Sequence, residues 1–387
     1  MRSFFSRNTI KREFAKGLIF NYCSIVPSCA AIIILSRKLE RECSMSTVAL
    51  KTEASTAGVK SDSKDLWAVL AGLRGLFAFI VLAYHVKQFV PHSSWLNPVA
   101  HLSGFVAVVG FFVISGYSIA HSIEVKPQGF YLRRAERIYP LYLLSCLLAL
   151  TPFFLFGHQI AAQPGYVAPT FKTILGNLFF LNGVFCDRLT TNAPMWTLSI
   201  EVFFYVLAPL FRRMHTALLL GLIAVSSGMF YMHDRFHVTG LVDLHHGLAA
   251  AMLLWAWLSG FVFYRYRSEW RAQVGLMAIG TYLLSRFCPE GLNYGMVTYS
   301  VSMFAIITAP QLKLSPEWRN RLNYAGEISY PLYIVHFPIL VILTLVRAPL
   351  NAVLFLIVPL LAAAATYHLI DQPFRARRSK SRTAQAG

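Results

Sequence analysis

The sequence predicts an all-α, polytopic bundle of about ten transmembrane helices with the N- and C-termini in the cytoplasm. Hydrophobic residues make up 56% of the 387 residues and charged residues make up 13%, whereas soluble domains carry roughly 25% charged residues. Apolar runs of the length that spans a bilayer as a helix recur along the chain. Lys and Arg concentrate in every second loop between these runs, which is the pattern that membrane topology produces.

Ten apolar runs are long enough, or nearly so, to cross the hydrocarbon core as helices. They lie near 66–86, 100–122, 138–157, 196–211, 215–231, 246–264, 271–287, 294–310, 327–346 and 349–370. A further stretch at 171–184 is too short and too polar to span alone. We expect a half-helix or an interfacial segment there.

The basic residues divide unevenly between the two sides of this topology. With residue 65 in the cytoplasm and the spans alternating, the cytoplasmic loops and the tail hold 17 Lys and Arg, and the opposite loops hold 6. This bias predicts a multi-pass protein of the plasma membrane whose positive loops stay inside. The net charge of +18 is therefore mostly a topology signal, and nucleic acid is not an expected partner.

Three regions follow from this distribution. Residues 1–64 form a poorly defined N-terminal leader, for which Met45 is an alternative start that would leave the preceding residues outside the mature protein. Residues 65–375 form the membrane domain, and residues 376–387 form a basic cytoplasmic tail.

The six cysteines show no metal-ligand spacing. Cys186 and Cys288 both fall on the outer side, where a disulfide and two free thiols are both compatible with the sequence. The outer loop at 233–246 is rich in His and Asp, but acceptor contact or a solvated loop is favoured over metal binding. No metal site is predicted.

Four ionisable residues lie inside predicted spans, where burial in hydrocarbon is costly and points to function. They are Arg74, His85, Glu201 and His336. Arg74 and His85 are eleven residues apart on one predicted helix, so their side chains fall within about 20° of each other and about 16 Å apart along the axis. One helix would thus present a fixed cation and, half a membrane away, a titratable base.

Five further motifs accompany this pair. They are GFFVISGYS at 110–118, FYLRRAERIYPLY at 130–142, MWTLSIEVFFYVLAPL at 195–210, GEISYPLYIVHFP at 326–338 and IDQPF at 370–374. In this order, and with the Arg-x10-His helix, they resemble the acyltransferase 3 family of integral membrane proteins over roughly 65–375. Two departures are small: Tyr117 stands where the family often has Phe, and Asp371 where it often has Glu.

The resemblance implies transfer of an acyl group, usually acetyl, from cytoplasmic acyl-coenzyme A to a hydroxyl of a glycan or lipid-linked glycan on the far side. Acyl-coenzyme A is a co-substrate, and no bound cofactor is expected. In this hypothesis His85 is the general base, and Glu201 orients its imidazole.

Arginines suit the phosphates of the donor. The residues assigned to donor binding are Arg74, Ser115, Arg133, Arg134, Arg137, Tyr330 and His336. For Ser115 close packing is the favoured alternative, and for Tyr330 and His336 an anchoring or structural role is an equal one.

Two other classes of protein fit the same buried residues. A transporter or channel could use Arg74, His85, Glu201 and His336 as a proton or ion relay. Paired helices broken by Gly or Pro in corresponding halves would favour a transporter, and the sequence shows no such symmetry. A purely structural membrane partner explains the four buried groups least well.

Reporter fusions test the predicted topology. A reporter that works only in the cytoplasm should be active after residue 134 and in the C-terminal tail, and inactive near residues 165 and 240, because basic loops stay inside. Cytoplasmic activity at residue 165 would overturn the predicted order of spans.

Overall fold

The computed structural model describes residues 64–101, 104–161, 165–236, 246–287 and 295–377. The predicted leader before residue 64, most of the outer loop at 233–246, Cys288 and the tail after residue 377 lie outside these ranges. Within them the chain is helical, and the extended pairing consists of one isolated bridge between Asn182 and Cys186. The predicted all-α class is confirmed for this part of the chain.

The helices are numbered here in chain order. They are α1 (Lys64–Phe89), α2 (Asn97–His101), α3 (Gly104–Val125), α4 (Phe130–Ala161), α5 (Phe171–Leu178), α6 (Met195–Arg213), α7 (Thr216–Phe236), α8 (Leu248–Arg265), α9 (Trp270–Phe287), α10 (Gly295–Thr308), α11 (Pro316–Leu345) and α12 (Ala352–Thr366). Short 3-10 turns cover Ser94–Leu96, Thr190–Asn192 and Ala309–Gln311, and α12 continues into a π-helical turn, Tyr367–Asp371.

Eight of the described helices are long and apolar enough to cross a membrane, namely α1, α3, α4, α6, α7, α8, α11 and α12 with its extension. The predicted spans at 271–287 and 294–310 form α9 and α10. Helix α10 has 14 residues and begins directly after residues 288–294, which lie outside the described ranges. The count of about ten spans and the cytoplasmic termini stay predictions. The short, eight-residue α5 agrees with the non-spanning segment predicted there.

Two helices begin well before the predicted spans. Helix α4 starts at Phe130, so the arginine cluster lies within its first turns. Helix α11 starts at Pro316, where the Ser315 side chain accepts a hydrogen bond from the Trp318 backbone N–H. Ser at the N-cap followed by Pro is a standard start signal. The hydropathy of these polar first turns is too low to reveal them as parts of spans.

Helices α1 and α11 run parallel and approach closely through small residues. A methyl group on Gly75 would lie 2.9 Å from the Ala325 carbonyl oxygen, and one on Gly326 would lie 2.8 Å from the Ala71 Cα. Small residues allow such close backbone approach within a membrane. Both helices begin at the same end of the bundle, where Arg319 bonds to Asp65 at 2.8 Å. We call this end, marked by Asp65 and Arg319, the basic face.

Helices α3 and α8 form a second parallel contact that depends on two glycines. A side chain on Gly116 would overlap the Trp257 carbonyl, and one on Gly260 would overlap the Val113 carbonyl. Near the C-terminal ends of α3 and α8, Glu124 forms an ion pair with Arg267 at 2.8 Å. These contacts hold α3, and with it Ser115, at a fixed position beside α8.

Replacing Gly116 by Ala should destabilise the bundle, because the added methyl group would force α3 away from α8. Overpacking of this kind costs about 1–3 kcal/mol, so the melting temperature of the purified protein should fall by several degrees. Gly221 on α7 faces open space, and Gly221→Ala is the matched control. Equal melting temperatures for both variants would contradict the close contact.

Candidate active site

Two histidines from the parallel helices meet far from the basic face. His85 lies on α1, about 30 Å along the helix from Asp65, and His336 on α11 is fully buried. The Nδ1 atom of His85 is 3.0 Å from the Nε2 atom of His336. The two rings stack with centroids 5.1 Å apart, and Phe337 packs edge-on against His85. Sequence analysis identified both histidines but not the bond between them.

Glu201 on α6 forms a separate hydrogen-bonded cluster. Ser115 and Tyr205 each donate a hydroxyl to the same carboxylate oxygen at 2.6 Å, and Trp257 donates its indole N–H to Ser115 at 3.3 Å. His85 bonds to His336 and not to Glu201, and a catalytic role of Glu201 stays a prediction. Ser115 bonds to the carboxylate, and its role in donor binding also stays a prediction. Tyr205 was missed, although its spacing of four residues from Glu201 on one helix could have indicated the contact.

Tyr333 connects the histidine pair to the Glu201 cluster. Its ring centroid is 6.1 Å from that of His336, and its hydroxyl is 2.6 Å from the Thr197 hydroxyl. Thr197 precedes Glu201 by one turn of α6. The two polar groups are therefore neighbours within one buried region between α1, α6 and α11.

Three arginines surround the Glu201 cluster. Arg74 on α1 and Arg134 on α4 both interact electrostatically with Glu201 and with Arg137. The Nε atoms of Arg74 and Arg134 are buried and have no hydrogen-bond partner within the described ranges. Two further carboxylates also interact with these arginines, Glu327 with Arg74 and Asp371 with Arg137. The open guanidinium donors of Arg74 and Arg134 are the feature that suits an anionic ligand.

Two other residues predicted for donor binding have structural partners. Arg133 donates to the backbone carbonyls of Lys126 and Gln128, which closes the loop before α4. Tyr330 donates its hydroxyl to the Ile138 carbonyl at 2.8 Å and so joins α11 to α4. These bonds occupy the hydroxyl hydrogen of Tyr330 and two of the five guanidinium N–H groups of Arg133, and the donor-binding role of both residues stays a prediction.

Helix α11 lacks one backbone hydrogen bond, at a carbonyl two residues before His336. Pro338 has no N–H, so the Ile334 carbonyl lacks its normal helical donor. Asn192 supplies an amide N–H to this carbonyl at 3.0 Å, and Ser145 supplies a hydroxyl at 3.1 Å. Both side chains are fully buried. The turn at Thr190–Asn192 thus fixes the segment of α11 that carries His336.

Cys186 lies in the segment after α5, outside the spanning helices. Burial, and to a lesser degree the neighbouring Asp187 carboxylate, raises the pKa of its thiol. A methyl group on Gly176 would overlap the Cys186 sulfur, so the thiol packs directly against α5. Cys186 forms no disulfide within the described part of the chain, and Cys288 lies outside it.

The helical bundle and its buried ionisable cluster agree with the resemblance drawn from the motifs. A family model described as an acyltransferase domain matches residues 67–368, and the chain belongs to this acyltransferase family. Together with the apolar helices, the membership shows a multi-pass membrane protein.

Two bacterial relatives cover most of the chain. The putative peptidoglycan O-acetyltransferase YrhL of Bacillus subtilis is 25% identical over 81% of this chain and 56% of its own length. The peptidoglycan O-acetyltransferase OatA of Listeria monocytogenes is 24% identical over 79% and 55%.

A third relative matches a shorter part. The acyltransferase MdmB of Streptomyces mycarofaciens is 30% identical over 38% of this chain and 39% of its own length. The chain thus spans about half the length of these three relatives, or less. No solved structure matches it.

Proposed function

We propose that this protein is a plasma-membrane O-acyltransferase. It transfers an acyl group, acetyl in the simplest case, from acyl-coenzyme A to a hydroxyl of an extracytoplasmic glycan. The family, and relatives named as peptidoglycan O-acetyltransferases, support the reaction class and a glycan acceptor. One observation carries the proposal: the continuous helix α1 holds both Arg74, which has an unpartnered buried guanidinium nitrogen, and His85, which pairs with His336 of α11.

The arginine cluster has the chemistry that the donor requires. Coenzyme A carries phosphates at one end of a long pantetheine arm and the thioester at the other. Guanidinium groups bind phosphate through charge-assisted, bidentate hydrogen bonds. Arg74, Arg134 and Arg137 would bind the phosphates from the cytoplasmic side, and the arm would carry the thioester toward His85, about 16 Å farther along α1.

His85 has the chemistry that the transfer requires. A neutral imidazole takes the proton of the acceptor hydroxyl while the hydroxyl oxygen attacks the thioester carbonyl carbon. The new C–O bond forms, the C–S bond breaks, and the imidazolium returns the proton to the departing thiolate. The products are the O-acylated glycan and free coenzyme A. Glu201 offsets part of the arginine charge when no donor is bound.

The rival classes have less support. A transporter or channel would also bury ionisable groups, but the relatives of this chain are named as acyltransferases. A structural membrane partner would have no need for buried guanidinium nitrogens that lack a hydrogen-bond partner, since such groups are costly.

Acyl transfer should be measured with the purified protein, labelled acetyl-coenzyme A and peptidoglycan fragments or other candidate glycans. We expect label in the glycan, and we expect His85→Ala to lower the rate by about 10²–10⁴-fold, the usual contribution of a general base. His92→Ala is the matched control, because His92 is exposed just beyond α1. Near-normal transfer by a well-folded His85→Ala protein would exclude His85 as the base.

Replacing Arg134 by Ala should raise the KM for acyl-coenzyme A without abolishing turnover at saturation. One lost charge-assisted contact costs about 1.5–3 kcal/mol. Arg133→Ala should raise this KM less, because two N–H groups of its guanidinium are bound to loop carbonyls. Arg271→Ala is the matched control, since Arg271 is exposed and packs on Trp270. Equal donor KM values for Arg134→Ala and Arg271→Ala would contradict a phosphate site at this cluster.

A further inference from the structure

The contacts of His336 determine which of its ring nitrogens carries hydrogen. Its Nδ1 atom is 2.9 Å from the Leu332 carbonyl oxygen, one turn earlier on α11. A carbonyl oxygen can only accept a hydrogen bond, so Nδ1 is the protonated nitrogen. In the neutral ring, Nε2 then carries a lone pair and can only accept.

The histidine pair has the surroundings of two neutral rings, because a buried imidazolium requires a counter-ion. Glu201 is bound by Ser115 and Tyr205 and does not touch either imidazole. Within the described ranges the pair contacts backbone carbonyls and aromatic rings, which come from Val81, Tyr84, Leu332, Tyr333 and Phe337.

The tautomer of His85 follows from that of His336. The 3.0 Å contact joins His85 Nδ1 to His336 Nε2, and His336 Nε2 is an acceptor. His85 Nδ1 must therefore carry the hydrogen that is shared between the rings. The other nitrogen of His85, Nε2, is left with its lone pair, and that lone pair is what a general base needs.

We propose that His336 is a positioning residue that selects the reactive tautomer of His85 through a chain of two hydrogen bonds. The chain runs from His85 Nδ1–H to His336 Nε2, and from His336 Nδ1–H to the Leu332 carbonyl. The inference rests on the proposed acyl transfer, and it assigns the base to the Nε2 atom of His85. His336 thus has the role that a carboxylate has in a Ser-His-Asp triad.

The surrounding residues fix the positions of the two imidazoles. The Ile334 carbonyl is fixed by Asn192 and Ser145, so the segment of α11 before His336 is anchored on two sides. Phe337 packs edge-on against His85. Neither imidazole can rotate without breaking a hydrogen bond or displacing a buried neighbour.

The same hydrogen bonds also stabilise His85 after it takes up a proton during transfer. When His85 Nε2 accepts the hydroxyl proton, the ring becomes a cation and its Nδ1–H bond to His336 becomes charge-assisted and stronger. The Leu332 carbonyl cannot accept a proton, so the charge stays on the two imidazoles. The proton then leaves through His85 Nε2 to the thiolate, and both rings return to their starting tautomers.

His336→Leu tests the positioning role, because Leu fills the space but offers no acceptor to His85. We expect kcat to fall by about 10²-fold, within the range of a general-base contribution and less than for His85→Ala, with the donor KM unchanged. His336→Gln should recover part of kcat, because its amide oxygen can accept from His85 Nδ1–H. Loss of donor binding in His336→Leu, or a kcat equal to that of the unaltered protein, would overturn the role.

Nitrogen NMR of histidine-labelled protein tests the tautomers in the unaltered protein without relying on activity. The ring signals of His85, assigned by their absence in His85→Gln, should show a protonated Nδ1 and a bare Nε2 in the unaltered protein. A protonated Nε2 on neutral His85 would overturn the inference even if acyl transfer is observed. Absence of acyl transfer together with the expected tautomers would instead count against the proposed function alone.

Discussion

The close parallel packing of α1 against α11 is the contact on which the site depends. Small residues let the two backbones approach, and the ion pair between Asp65 and Arg319 sets their register at the basic face. With that register, His85 meets His336 across 251 residues of sequence. A slip of one residue would turn either helix face by about 100° and would separate the imidazoles.

The same helix pair separates two kinds of chemistry along the axis of α1. Guanidinium groups collect around Glu201, where Arg74 and Arg134 keep donors that the fold itself does not use. The imidazole pair lies farther along α1 and is bonded internally, so it needs no counter-ion. An anionic acyl donor bound beside Arg74 and Arg134 would accept hydrogen bonds from their open N–H groups and so offset the cost of burying them. The imidazole pair would stay free for proton transfer.

Much of the fold and part of the site could be predicted from the sequence. Hydropathy located every described spanning helix, and the cost of burying charge identified Arg74, His85, Glu201 and His336 as one set. The pairing within this set could not be predicted, because it depends on which helices are neighbours. The local contacts of Arg133 could not be predicted either. Its place in an arginine cluster suggested a bound ligand, and its guanidinium donates to the carbonyls of Lys126 and Gln128.

The backbone hydrogen bond that Pro338 removes from α11 ties together two segments that are remote in sequence. An alanine at this position would bring a helical N–H to the Ile334 carbonyl, in competition with the donors from Asn192 and Ser145. An aliphatic residue at position 192 would take one of these two donors from a buried carbonyl. Each substitution is unfavourable alone and less so in combination. Asn192 and Pro338 are therefore expected to be exchanged jointly as the family diverges, although neither touches the imidazole pair.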